Sequence, residues 1–220
     1  KTKNVIRVIW TTTQTVFFLG KLIITFVYLF FRDAILGKRY CTSPFKKMKL
    51  LTTIYRQKNV NPEGKTFLRE AVRGIIFCEG KLLMVYSTVN GDYKFPGGGI
   101  DLGESHHEAL RREIREECGA EMTLVTGEFG QTTEYAHAIE DNFDTYKQNS
   151  YYYLCEIANE FGGQALEDYE EKLGFRPVWV GAKISLQANK KILTNSNSAP
   201  RWTKREIFVL AHILSTKPFA

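Results

Sequence analysis

Two short runs of apolar residues, at 71–78 and 81–87, stand close together in this 220-residue chain. Only Glu79 and Gly80 separate them, and strand-length apolar runs on either side of a two-residue turn are typical of a β-hairpin. The polar residues 88–92 that follow predict a turn. We therefore expect two antiparallel strands that lead into a glycine-rich loop.

Residues 106–118 have the pattern of an amphipathic helix. Ser105 is followed three residues later by Glu108, which is a capping box and predicts a helix that begins at about residue 106. Gly119 suits the left-handed position just past the end of that helix. Three apolar residues form one stripe along it: Leu110, Ile114 and Cys118. This stripe should pack against the sheet.

Downstream of this helix, the pattern predicts strands at 122–126, 150–157 and 177–180 and helices at 182–193 and 201–214. The strand at 150–157, SYYYLCEI, is nearly continuous in apolar and aromatic residues, which indicates a central position in the sheet. The polar composition of residues 156–176 predicts a flexible loop. Together these elements predict an α/β fold.

Three carboxylates occupy a second face of the predicted helix. Glu113, Glu116 and Glu117 fall within an arc of roughly 100°. Charged residues at this spacing usually form a solvated face. Carboxylates this close also repel one another, however, and a cation would stabilise them. Oxygen ligands without Cys or His favour Mg²⁺ or Mn²⁺.

The sequence FPGGG at 95–99 favours the metal-binding alternative. Glycines such as Gly97 and Gly98 let the backbone approach a ligand closely, with amides and carbonyls exposed to it. A glycine-rich loop beside an acidic helix suits phosphate, because divalent cations link carboxylates to phosphate oxygens. We therefore interpret the loop and the helix as a metal-dependent phosphate site.

Residues 98–120, GGIDLGESHHEALRREIREECGA, resemble the signature box of the Nudix hydrolases. All the glycine and polar positions of that box are filled, and the one soft position is Ala120, where the family usually has a larger aliphatic residue. The resemblance implies an α/β/α sandwich with a mixed sheet. It also implies a Mg²⁺- or Mn²⁺-dependent hydrolase, in which water attacks phosphorus in a nucleoside diphosphate derivative.

The same resemblance implies roles for individual residues. The divalent ions would be held by the Gly97 carbonyl and by the carboxylates of Glu113, Glu116 and Glu117. Glu104 and Arg112 would pair and hold the loop against the helix. Many Nudix enzymes use a further glutamate before the last core strand as a metal ligand or general base. Glu170 and Glu171 are both candidates, and the spacing does not choose between them.

The substrate is expected to be a small nucleotide. Four candidate residues could contact it, by base stacking or through the loop backbone: Tyr93, Phe95, Gly98 and Tyr135. Core packing is the alternative role for the aromatic ones. Tyr135 stands where ADP-ribose hydrolases have a proline, so that substrate class is not indicated. The alternative function is a Nudix-type module that binds a nucleotide without cleaving it, but the intact acidic positions favour the hydrolase.

Charge is divided unevenly along the chain. The whole sequence has 30 Lys and Arg against 24 Asp and Glu, a net charge of +6. Residues 1–50 carry ten basic residues and one acid, whereas residues 51–220 carry 20 basic and 23 acidic residues. The second part is therefore not expected to bind a nucleic acid duplex. The four cysteines form no CxxC pair, which favours a reduced, cytoplasmic setting.

Residues 1–47 form a leader ahead of the Nudix domain, which comprises residues 48–220. The composition of the leader predicts an apolar, basic helix. The stretch 12–31 contains 12 strongly apolar residues and is about long enough to span a bilayer, although Lys21 makes insertion marginal. The basic residues after this stretch would keep the domain on the cytosolic side of a membrane. The competing interpretation is that Met48 starts the functional protein and the leader is an extension with little role.

Overall fold

The computed structural model describes residues 48–195, 199–216 and 218–219. The predictions for residues 1–47, an apolar, basic helix and membrane association through residues 12–31, lie outside the described residues. Within the described ranges, no helix is long and apolar enough to cross a bilayer.

Seven strands form one mixed sheet in the described part of the chain. They are β1 (Leu50–Tyr55), β2 (Thr66–Cys78), β3 (Lys81–Ser87), β4 (Tyr93–Lys94), β5 (Ala120–His137), β6 (Thr145–Phe161) and β7 (Phe175–Val180). Their order is β1-β5-β6-β2-β3-β4, and β7 pairs with β3. The pairs β1–β5 and β2–β6 are parallel, whereas the other pairs are antiparallel.

Helices cover both faces of this sheet. They are α1 (His106–Cys118), α2 (Asp168–Lys172), α3 (Ala182–Asn195) and α4 (Thr203–Thr216). Side chains of β2 alternate between two cores, with Val72 and Ile76 packed with α1 and Ile75 packed with α4. The predicted apolar stripe of α1 lies in the first core. The expected α/β/α sandwich with a mixed sheet is therefore confirmed.

The predicted hairpin is present between β2 and β3. Glu79 and Gly80 both have positive φ angles, 48° and 78°, which match the twist of a two-residue hairpin turn. Strand β2 begins at Thr66, before the predicted run, because it pairs in parallel with β6 along most of its length. That pairing joins segments about 80 residues apart, so the local pattern did not indicate it.

Strand β6 is central, as its apolar sequence predicted, with β5 on one side and β2 on the other. Strands β5 and β6 extend well beyond the predicted 122–126 and 150–157, because they pair with each other as a long antiparallel ribbon. The two predicted C-terminal helices are present as α3 and α4, each within two residues of its predicted ends.

The prediction of a flexible loop at 156–176 was wrong. Strand β6 continues to Phe161, which pairs with Ala120 at the start of β5. Helix α2 then forms, with the Glu167 amide donating to the Glu170 carboxylate at 3.2 Å. Most polar side chains there are exposed, while backbone pairing and capping hold the segment. Helix α2 brings Glu170, which is buried, close to Lys94.

Candidate active site

Helix α1 carries most of the candidate site, and its two ends are held as the sequence predicts. The Ser105 hydroxyl accepts from the Glu108 amide at 3.3 Å, and the Glu108 carboxylate accepts from the Ser105 amide at 2.9 Å. Gly119 has a φ of 66°, and a side chain there would collide with the Gly162 carbonyl. The capping box and the glycine end are confirmed.

The glycine loop at 95–99 lies directly against β2 and α1. The Val72 amide donates to the Gly98 carbonyl at 3.0 Å. Gly97 has a φ of 135°, and a Cβ there would collide with the Val72 carbonyl. A Cβ at Gly98 would collide with the Glu113 carboxylate. Gly97 needs glycine because its backbone is too close to β2 for a side chain, whereas a side chain at Gly98 would require the Glu113 carboxylate to move.

Arg112 joins the loop to the helix. Its Nε and Nη2 donate to the Glu104 carboxylate at 2.9 and 2.8 Å, and Nη2 also donates to the Gly99 carbonyl at 3.0 Å. Its Nη1 donates to Glu113 at 2.9 Å and to Glu116 at 3.2 Å. The hydrogen bond from Arg112 lowers the pKa of Glu104. One guanidinium therefore holds the loop and two of the helix glutamates.

The three helix glutamates differ in burial. Glu117 exposes only 1% of its surface, whereas the side chains of Glu113 and Glu116 expose 12% and 33%. Burial raises the pKa of Glu117 to about 7 and also raises the pKa of Glu113. The Gly97 amide donates to Glu117 at 2.8 Å. A solvated helix face does not describe these carboxylates, because Glu117 is buried and Glu113 is only partly exposed beside the glycine loop.

Lys94 is a site residue that sequence reasoning missed. It lies on β4, is 7% exposed, and forms an ion pair with Glu117. Its Nζ is 3.9 Å from the Glu170 carboxylate and 4.9 Å from the centre of the Phe175 ring. A buried ammonium needs such partners. Its only sequence signal is a charged residue between two aromatic residues, directly before the glycine loop.

Of the two candidate glutamates in the 156–176 segment, only one reaches the site. Glu170 is 5% exposed, accepts a hydrogen bond from the Tyr169 hydroxyl at 2.9 Å and faces Lys94. Glu171, its neighbour on α2, is exposed. The short helix therefore separates two residues that sequence spacing left equivalent.

The carboxylates of this cluster match the chemistry of a hard divalent cation. Their ligand atoms are all oxygens, which favours Mg²⁺ or Mn²⁺, and a cation would stabilise the charged form of buried Glu117. Within residues 48–195, 199–216 and 218–219, no three His, Cys, Asp or Glu side chains stand close enough together to hold a metal ion. Arg112 and Lys94 are paired with these carboxylates instead.

The aromatic candidates for substrate contact lie in different environments. Phe95 is fully buried and packs edge-on against Tyr152, so it belongs to the core and offers no exposed face to a base. The Tyr93 ring packs against Tyr86, at 4.8 Å between centroids. Tyr135 stacks on Tyr55 at 5.4 Å, where β5 meets β1. Of the four candidates, Gly98 is the one that lines a pocket beside the glycine loop.

A pocket opens beside Gly97 and Gly98, with an empty volume of about 390 Å³ that includes its open mouth. Six of its lining residues are basic: Arg56, Arg69, Arg73, Lys94, Arg201 and Arg205. No Asp or Glu of the described chain lines it. Sequence reasoning missed this basic pocket because the net charge of residues 51–220 is negative and does not report where the cations meet.

A family model described as the NUDIX domain matches residues 68–192, which is more than half of the chain. The chain belongs to the NUDIX family. The match includes the glycine loop, helix α1, the two long strands β5 and β6, and both candidate glutamates of α2. The family resemblance of the box at 98–120 is therefore confirmed.

Two curated proteins share part of this NUDIX domain. The RNA pyrophosphohydrolase of a Nitratiruptor species is 45% identical over 49 residues, which are 22% of this chain and 32% of that protein. The CTP pyrophosphohydrolase of Escherichia coli is 39% identical over 59 residues, 25% of this chain and 44% of that protein. The chain thus spans less than half the length of these relatives.

Solved structures similar to this chain have low sequence identity to it. The solution structure of the Escherichia coli ORF135 protein is 21% identical, with a TM-score of 0.44, and the match covers 70% of this chain and 96% of that one. A NUDIX hydrolase from Nitrosomonas europaea is 18% identical, with a TM-score of 0.40, covering 66% of this chain and 89% of that one.

The Arg112 network in this NUDIX domain predicts a loss of stability as well as of activity when the guanidinium is removed. Arg112→Ala is expected to lower the free energy of unfolding by about 1–3 kcal/mol, because it leaves the Glu104 and Glu113 carboxylates without their main donor. Denaturant unfolding measures the change. The matched control is Arg111→Ala, since the Arg111 side chain is 51% exposed. Wild-type stability with reduced catalysis would instead assign Arg112 to direct substrate contact.

Proposed function

We propose that this protein is a hydrolase that uses Mg²⁺ or Mn²⁺ to cleave a diphosphate linkage in a nucleoside diphosphate derivative. The observation that carries the proposal is the buried carboxylate of Glu117. It accepts from the Gly97 amide at 2.8 Å and shares Lys94 with Glu170. Such a cluster beside a glycine loop suits phosphate transfer to water. Both curated relatives are pyrophosphohydrolases by name, which supports the same reaction class.

In the proposed reaction, Glu113, Glu116 and Glu117 hold the divalent ion, and the Gly97 carbonyl is a further candidate ligand. When bound, the ion supplies positive charge that neutralises the phosphate oxygens. Arg112 keeps Glu113 and Glu116 oriented through its Nη1 hydrogen bonds. The carboxylates are thereby positioned before the substrate arrives, which lowers the cost of reorganisation during the reaction.

We assign Glu170 as the general base in this proposal. Its carboxylate is buried and lies 3.9 Å from the Lys94 ammonium, which also pairs with Glu117, whereas Glu171 is exposed. Water attacks phosphorus as Glu170 accepts its proton, a new P–O bond forms, and the bond from phosphorus to the bridging oxygen breaks. The Lys94 ammonium stabilises the negative charge of Glu170 before the transfer and positions both carboxylates.

A panel of small nucleotides, incubated with the full chain with and without Mg²⁺, tests the proposal. The panel contains nucleoside triphosphates, nucleotide sugars and dinucleoside polyphosphates. Chromatography is expected to show a nucleoside monophosphate with pyrophosphate or a second phosphate ester, or a nucleoside diphosphate with phosphate or a second nucleotide. Chelation should abolish the reaction. The competing function is nucleotide binding without cleavage. Thermal stabilisation by a nucleotide without any product from the panel would favour that alternative and reject the hydrolase.

A further inference from the structure

We propose that the basic pocket beside Gly97 and Gly98 binds a phosphate group of the substrate, with Arg73 as its main ligand. The inference rests on the proposed hydrolase function and deepens it by assigning a substrate class. The substrate would carry at least one phosphate in addition to the diphosphate linkage that is cleaved. A neutral group such as a nucleobase would not neutralise the charge of this pocket.

Arg73 is a buried cation without a salt-bridge partner among the described residues. It lies on β2 with 5% of its surface exposed, and its Nε and Nη1 have no hydrogen-bond partner in the described chain. Burial, together with the charge of Arg205, lowers its pKa, while the carboxylates of Glu206 and Glu117, beyond salt-bridge distance, act in the opposite direction. An unpaired buried charge is unfavourable, so an arginine in this position is most easily explained by an anion that binds to it. Arg73 is one of the residues that line the pocket.

The other basic residues that line the pocket divide into those paired with carboxylates and those without a carboxylate partner in the described part of the chain. Arg205 contacts Glu134 at 2.8 Å and Glu206 at 2.6 Å, and Arg56 contacts the same Glu134 at 3.0 Å. Two carboxylates therefore neutralise these two guanidinium groups. Lys94 is neutralised by the acidic cluster of α1 and α2. These cations support the pocket without adding free positive charge to it.

The remaining cations give the pocket an excess of positive charge. Arg69, Arg73 and Arg201 form no salt bridge within 4.0 Å with any carboxylate of the described residues. Arg69 has only a 3.4 Å hydrogen bond to the Gln148 amide oxygen. Three guanidinium groups match a phosphate better than a carboxylate, because phosphate carries more charge and more acceptor oxygens.

The position of the pocket makes this phosphate part of the substrate. The pocket is lined on one side by Gly97 and Gly98, and the Glu113 carboxylate lies directly against Gly98. Lys94 lines the pocket and also contacts Glu117. A chain of phosphates can therefore run from the acidic cluster across the glycine loop to Arg73. The acidic cluster at one end of the site would bind the divalent ion and the diphosphate linkage. The basic pocket at the other end would bind the additional phosphate.

Calorimetry with tripolyphosphate in the presence of a chelator tests the pocket apart from the metal chemistry. The probe should bind the full wild-type chain, and Arg73→Gln is expected to weaken binding about tenfold or more. The matched control is Arg111→Gln, which removes an exposed arginine of α1 and should leave the affinity unchanged. Equal affinity of wild type and Arg73→Gln would overturn the proposal.

Stability measurements separate a binding role from a structural one. Arg73→Gln is expected to melt at or above the wild-type temperature without ligand, because it removes an unpaired buried charge. A large fall in melting temperature would assign Arg73 to the fold and overturn the proposal. Arg69→Gln, at a less buried position of the same pocket, should weaken tripolyphosphate binding in the same direction.

Kinetics distinguish a substrate phosphate from free phosphate. Arg73→Gln should lower kcat/KM at least about tenfold for substrates with an additional phosphate and much less for those without one. If the variant lost tripolyphosphate binding but kept kcat/KM for every substrate, the pocket would hold a free anion and the proposal would fail. Arg73-dependent tripolyphosphate binding in a protein that cleaves no nucleotide would reject the hydrolase and leave the phosphate site standing.

Discussion

Glu117→Gln is expected to reduce turnover by at least ~100-fold on any nucleotide that the wild-type protein cleaves. The substitution keeps the size of the side chain but removes the buried negative charge beside Gly97 and Lys94. That charge is proposed to hold the divalent ion, so its loss removes charge stabilisation from the transition state. Initial rates at saturating Mg²⁺, with the fraction of folded protein checked by circular dichroism, measure the effect.

The matched control for this prediction is Glu171→Gln. It removes the same charge from an exposed glutamate on α2 and should leave turnover unchanged. Glu116→Gln, at the more exposed position of the α1 cluster, should reduce turnover to a similar extent. Near-wild-type Mg²⁺-dependent hydrolysis by both Glu116→Gln and Glu117→Gln would contradict the assignment of this cluster as the metal site.

Arg205→Ala is expected to lower the free energy of unfolding by about 3–5 kcal/mol. The Arg205 guanidinium is buried and donates to Glu134 at 2.8 Å and to Glu206 at 2.6 and 3.1 Å. Both glutamates are fully buried. Removing the cation leaves Glu206 without a cationic partner and Glu134 with Arg56 alone. The loss is a large part of the roughly 5–15 kcal/mol that is typical of a folded domain. Urea or guanidinium unfolding at neutral pH measures it.

Two further variants test the physical cause of that loss. Lys204→Ala changes the exposed neighbour of Arg205 on α4 and should alter stability by less than about 0.5 kcal/mol. Arg205→Met fills most of the space but carries no charge. It should be nearly as destabilising as Arg205→Ala if unpaired carboxylates cause the loss. Recovery of most of the stability by methionine would show that packing, and not charge, is the main contribution of Arg205.

Local features of the structure could be predicted because they depend on residues a few positions apart. The Ser105 and Glu108 capping box and the left-handed Gly119 set the ends of α1. The two-residue turn at Glu79 and Gly80 closes the hairpin. In each case a short-range hydrogen bond or a backbone conformation selects the residue type. The same reasoning placed the acidic face of α1 beside the glycine loop.

Burial could not be predicted from these patterns. Helical spacing put Glu113, Glu116 and Glu117 on one face, but it did not show that Glu117 is buried while Glu116 is partly exposed. Phe95 was a candidate for base stacking and is a core residue, because α4 covers that side of the sheet. The choice between Glu170 and Glu171 depended on α2, whose polar sequence had predicted a loop.

The sequence by itself determined the family, the hairpin, helix α1 and the presence of a glycine loop beside clustered carboxylates, because all of these are encoded within short segments. Only the tertiary structure decided which charges meet. Strand β2 pairs with β6 about 80 residues away, and α4 brings Arg205 to Glu134 across 71 residues. The net charge of a sequence does not show which charged residues come together from distant segments. The basic pocket around Arg73 therefore exists in a domain whose sequence is acidic.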